Sequence, residues 1–121
     1  MREAGICDSV ITVLTMFQNN PTDIELLAIK SAVKAVGALA EDVINCEILI
    51  SKGACEKVID ILIRRTAYKY MGLTCFHTLG VLCRSENGLN RISIKLLEEM
   101  DENKAEVIMK TIDIFCEGNF V

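Results

Sequence analysis

Cysteine and histidine are the residues here best suited to covalent or metal chemistry, and the chain has six of the first and one of the second. Cys75 and His77 stand two residues apart, the two types that thiol enzymes pair as nucleophile and base. On a helix that spacing turns the side chains about 200° away from each other, so they cannot share a hydrogen bond. The cysteines at 7, 46, 55, 75, 83 and 116 make no close pair, and one histidine cannot complete a zinc framework with them. They fall inside apolar periodic segments and read as reduced core thiols. Glu98-Glu99 and Asp101-Glu102 offer the neighbouring carboxylates that acid–base catalysis needs, but at a solvated helix boundary with no pocket-forming pattern. Arg64-Arg65 is a turn pair suited to capping helix carbonyls. No phosphate-binding loop, dinucleotide glycine pattern or nucleophile elbow occurs. The expectation is a noncatalytic chain with no cofactor and no metal.

Composition narrows what such a chain can bind. Its 121 residues make one domain, and 51% apolar residues exclude disorder. Thirteen basic against seventeen acidic residues give a net charge of −4, opposite in sign to what binds a phosphate backbone. The absence of tryptophan leaves little for stacking bases. Nucleic acid is therefore not the expected partner. The most apolar stretch, Val58 to Ile63, is interrupted by Asp60 and falls far short of a membrane span of about 18 residues. Met1-Arg2-Glu3-Ala4 places an acid where a signal peptide is basic. The expected compartment is the cytoplasm, with the nucleus as the alternative.

A single proline and apolar residues at helical spacing predict an all-α chain. Ile6, Val10, Ile11, Leu14 and Phe17 share one face of a helix over about 6–18, which Asn19-Asn20-Pro21 ends. Thr22 and Glu25 have capping-box spacing and start a second helix to about Glu41. Its stripe of Leu26, Ile29, Ala32, Val33, Val36, Leu39 and Ala40 needs cover on two sides. Asn45 caps a short helix that Gly53 stops, followed by helices over Cys55–Arg64 and Thr66–Cys83. Ser85-Glu86-Asn87-Gly88 is the next break, Asn90 starts another short helix, and Leu96–Met100 is short for a full one. Asn103–Gly118 is the last long helix, with Val107, Ile108, Ile112 and Phe115 at helical spacing.

An internal repeat orders these pieces. Gly5-x-Cys7-Asp8-x-Val10-Ile11-x-x-Leu14 returns 48 positions later as Gly53-x-Cys55-Glu56-x-Val58-Ile59-x-x-Leu62, with five identities and one acid-for-acid match. Ala35-Val36-Gly37-Ala38-Leu39-Ala40 aligns with Thr78-Leu79-Gly80-Val81-Leu82-Cys83 at an offset of 43, the difference lying in the turn between helices. Aligning Leu39-Ala40 with Phe115-Cys116 adds the last helix. A period in the mid-forties, built as short helix, helix and long helix, is that of an α-solenoid.

In these features the chain resembles an armadillo array. The short helix ending at Gly53, the helix to Arg64 and the long helix to Cys83 match one unit; HEAT repeats have two helices per unit and lack the separate short one. The resemblance implies a right-handed α–α superhelix of about two and a half units, near 1–44, 45–88 and 89–121, forming a single domain. Glu3-Ala4-Gly5 resembles the tail of a short first helix, and Cys116 to Asn119 an exit into a further unit, so a piece of a longer array is expected.

The resemblance also implies function: a protein-interaction scaffold whose third helices line a concave groove for a peptide segment or partner helix. Carried over by position, the groove takes Lys30, Lys34 and Glu41, then Leu73, His77, Val81 and Arg84, then Lys110. Lys34, His77 and Lys110 align as a ladder of cations for an acidic or phosphorylated segment. The importin-α branch uses tryptophan and asparagine one turn apart, where this chain has Lys34 and Ala38, then His77 and Val81, so nuclear-import reception is not expected. The alternative is a self-assembling module, a homo-oligomer stacked through apolar end faces.

Overall fold

The computed structural model describes residues 2–16, 22–64, 68 and 70–117. Phe17, the Asn19-Asn20-Pro21 turn, Arg65-Thr66 and Gly118-Asn119 lie outside the described residues. The described chain is helical without strands: α1 (Arg2–Met16), α2 (Asp23–Leu39), α3 (Val43–Ser51), α4 (Ala54–Arg64), α5 (Met71–Leu82), α6 (Glu86–Glu99) and α7 (Glu102–Glu117). None of these helices is long and apolar enough to cross a membrane.

Local chemistry sets most of the boundaries. At α2 the Glu25 N–H donates to Thr22 Oγ1 at 3.2 Å and the Thr22 N–H to Glu25 Oε1 at 2.8 Å, the reciprocal cap expected from the sequence. At α3 the cap is Asp42, whose carboxylate accepts from the Asn45 N–H at 3.0 Å. Asn45 is therefore inside the helix and buried. Gly53 separates α3 from α4 at φ +90°, a conformation that costs a residue without Cβ nothing. Gly5, its counterpart, has no such turn and lies within α1, so the first copy runs as one helix.

Three further expectations are corrected. Ile6 points outward at 48% exposure, while Cys7 and Leu14 face the core, because α1 packs on α2, α3 and α4 along one side only. The long helix of the second copy, expected from Thr66, starts among the described residues at Met71, behind Tyr70 at φ 57°. Ser85 is a helix cap, and the separate pieces expected around Asn90 and Leu96–Met100 are one continuous α6. Gly88 does not break that helix because its φ stays negative; it lets the first turn settle against the Leu82 carbonyl.

Packing places α5 between α2 and α7, and places α4 between α1 and α6. The two sets pair as α1 with α2, α4 with α5 and α6 with α7, while α3 touches α1, α2, α4 and α6. Two motif positions are buried in both copies, Cys7 with Cys55 and Leu14 with Leu62, whereas Val10 and Ile11 are half-buried where Val58 and Ile59 are fully buried. Two close approaches fix the α2–α5–α7 spacing. Thr78 donates its hydroxyl to the Val33 carbonyl at 2.9 Å beside Gly37. Gly80 lies against the backbone of Phe115 and Cys116.

Candidate partner-binding groove

The face of α2, α5 and α7 turned away from α1, α4 and α6 carries the candidate site. On α2, Ile24, Leu27, Ser31, Lys34, Ala38 and Glu41 form an exposed stripe at spacings of three and four. On α5 the exposed positions are Leu73 and His77, with Tyr70 just before them. Between these helices lies a hollow of about 610 Å3. Lys34, Gly37, Ala38 and Glu41 form its α2 side, Leu73, Thr74, His77 and Thr78 its α5 side, and Phe115 of α7 closes it. Gly37 and Thr78 make the floor, where a Cβ on the glycine would meet Thr78 Oγ1 at 2.9 Å. The walls are apolar and the ionisable groups converge from the rim, the make-up of a binding cleft.

Four of the eight residues expected in a groove, Lys34, Glu41, Leu73 and His77, line this one hollow. Arg84 stands at its edge, its Nη1 2.8 Å from Glu41 Oε1. Lys30 lies farther along α2, its ammonium 5.9 Å from the centre of the Tyr68 ring and 5.5 Å from that of Tyr70. Val81 is buried at 2% exposure and presents nothing to the groove, because α7 closes on α5 at Gly80. Lys110 is not opposite His77: it is exposed beside Glu106 at 3.9 Å, and the α7 side chain edge-on to His77 is Phe115, with ring centres 6.5 Å apart. Gly37 abuts Thr78 whereas Gly80 abuts Phe115, so α7 sits about one turn away from the alignment that equated Lys34, His77 and Lys110. The cation ladder becomes Lys34, His77 and an aromatic ring.

Phe115 was legible only as an apolar residue at helical spacing. Its role depends on the packing of α7, and the sequence signal that could have found it is the pair of equivalent helix-interior glycines, Gly37 and Gly80, which mark close helix approach. Phe115 also stacks on Phe76, ring centres 6.0 Å apart. Phe76 in turn lines a second hollow of about 510 Å3 with Leu62, Ile63, Met100, Val107 and Ile108. The aromatic pair thus stands between the two hollows.

The thiols lie away from this face. Cys75 is fully buried, and burial pushes its pKa up to about 12. Cys55 and Cys83 are also pushed to about 12, chiefly by burial, and Cys46 is raised for the same reason. These four are protonated at neutral pH and act as small packing residues. His77 is exposed where Cys75 is buried, as their spacing requires. Among the described residues no group of three or more histidine, cysteine or acidic side chains is placed to hold a metal. Set against protein-family models, curated proteins and solved structures, the chain matches none of them.

Proposed function

We propose that the chain is an armadillo-type helical array that works as a noncatalytic protein-interaction scaffold, taking a peptide segment or partner helix in the groove along α2, α5 and α7. The observation that carries this reading is the hollow of about 610 Å3 in which an apolar floor and wall meet Lys34 and His77. The side-by-side order of α2, α5 and α7 supports the repeat reading, since units that touch only their neighbours leave one row of equivalent helices to form a continuous face. The rim favours an acidic segment: Lys34 makes no ion pair among the described residues, while Glu41 is already neutralised by Arg84.

Fluorescence anisotropy with two labelled amphipathic peptides, identical but for glutamate or lysine at the polar positions, tests the reading. The acidic peptide binds and the basic one does not. Lys34→Glu then weakens binding by about tenfold, and Ala38→Arg, which fills the hollow, abolishes it. Equal binding of both peptides, or affinity unchanged by Ala38→Arg, would remove the groove from consideration.

A further inference from the structure

The α6 helix carries a second unpartnered surface whose chemistry is the complement of the groove. Ile94, Leu97 and Glu98 fall at i, i+3 and i+4, the anchor spacing of a helix laid in a groove. Ile94 and Leu97 are each 58% exposed, well beyond what a buried helix face leaves to solvent. Glu98 is exposed and makes no ion pair among the described residues, whereas Glu99 beside it is held by Lys95 at 2.8 Å. The stripe is thus an apolar ridge flanked by one carboxylate with no ion pair among the described residues, while Asp101, past the helix end, is turned to α7 and accepts from the Lys104 N–H at 2.9 Å.

We propose that the occupant of the groove is a second copy of this chain, whose Ile94 and Leu97 enter the hollow between α2 and α5 while its Glu98 meets Lys34. The proposal rests on the groove reading and names its partner. Apolar wall then meets apolar ridge at Ala38, Leu73 and Phe115, and Lys34 meets Glu98, neither of them ion-paired among the described residues. Groove and ridge are different surfaces of one molecule, so the contact is heterologous: every copy offers one of each, and association continues until a ring closes or a filament grows. This differs from stacking through the end faces of the array, which would leave the groove open.

Sedimentation velocity at rising protein concentration, on the wild type, Lys34→Glu, Glu98→Lys and the double variant, decides it. Both positions are exposed, so circular dichroism spectra should be alike for all four proteins. The wild type gains mass with concentration. Each single variant sets like charges face to face and weakens association by about tenfold, and the double variant recovers it by exchanging the signs. Singles that associate like the wild type, or a double variant no better than either single, would overturn the pairing. A wild type that stays monomeric yet binds the acidic peptide overturns the second-copy proposal alone. One that is monomeric and binds no peptide takes the groove reading with it.

Discussion

Replacing Gly80 with alanine should destabilise the chain, although alanine is by far the better helix former. A Cβ at Gly80 would lie 2.8 Å from the Cys116 amide nitrogen, 2.8 Å from the Phe115 Cβ and 2.9 Å from the Phe115 carbonyl carbon. Two of these are backbone atoms and cannot rotate aside, so α7 must retreat from α5 by roughly 0.7 Å to restore ordinary contact of about 3.5 Å. Overpacking of this kind costs about 1 to 3 kcal/mol, against a gain of about 1 kcal/mol for glycine to alanine inside a helix. The net loss is about 1 kcal/mol, rising to about 2 if α7 moves little. Gly72, near the start of the same helix, has no atom within 4 Å of its would-be Cβ, so Gly72→Ala should instead gain about 0.5 to 1 kcal/mol. Urea unfolding followed by circular dichroism measures both: with a slope of about 1.5 kcal/mol/M, the two midpoints should differ by about 1 M. The displacement should also pull Phe115 from the hollow and weaken groove binding in Gly80→Ala only. Equal shifts for the two variants, or a Gly80→Ala as stable as the wild type, would refute the view that backbone contact at this residue sets the α5–α7 spacing.

Thr78→Val keeps the shape of a buried side chain and removes its hydroxyl from the Val33 carbonyl, so it should cost about 1 to 2 kcal/mol in the same assay; no loss would mean the bond does not tie α2 to α5. Timed alkylation read by mass spectrometry should modify half-buried Cys116 ahead of Cys55, Cys75 and Cys83, whose thiols are raised to about 12, and early labelling of Cys75 would contradict its burial. The carboxyl of Glu47 is held below its ordinary 4.5, first by the Ser85 hydroxyl and then by the Asn87 amide at 3.0 Å. The unfolded chain therefore takes up this proton first, and the stabilisation present above about pH 4.5 is lost as pH falls through the lowered folded value. Glu47→Gln should flatten the acid limb of the stability profile; a curve of unchanged slope below that pH would show that the bonds to Ser85 and Asn87 contribute nothing.

The helices were legible because their signals are local. Thr22 with Glu25 starts α2 by a cap that involves four consecutive residues, and Gly53 ends α3 by a backbone angle that it adopts without steric cost. The misplacements arise where one local signal competed with another. Asn45 is a good cap, but Asp42 reaches the Asn45 amide first, and the helix starts there. Gly88 belongs to a run with the composition of a break, yet it serves close packing against Leu82 and leaves α6 unbroken. The same residue type supports a left-handed turn at Gly53 and helix contact at Gly88. Type alone does not separate the two uses; the neighbours in space do.

The site was half legible for a related reason. Lys34, Glu41, Leu73 and His77 were found because α2 and α5 lie side by side near the offset read from the sequence, with Gly37 against Thr78. That agreement fails at α7, where the alignment rested on two apolar residues that fit a helix in more than one phase. Sliding α7 by about one turn costs its own hydrogen bonds nothing, so its sequence does not oppose the shift. What chooses the position is Gly80, which admits the Phe115 and Cys116 backbone at one height only, and the consequence reaches the chemistry of the groove. A lysine would have extended a charged row, whereas Phe115 places a ring edge-on to His77 and ends the row in an apolar wall. The resulting cleft is charged at Lys34 and apolar at Phe115, which is why it suits a ridge that is itself acidic on one flank and aliphatic on the other.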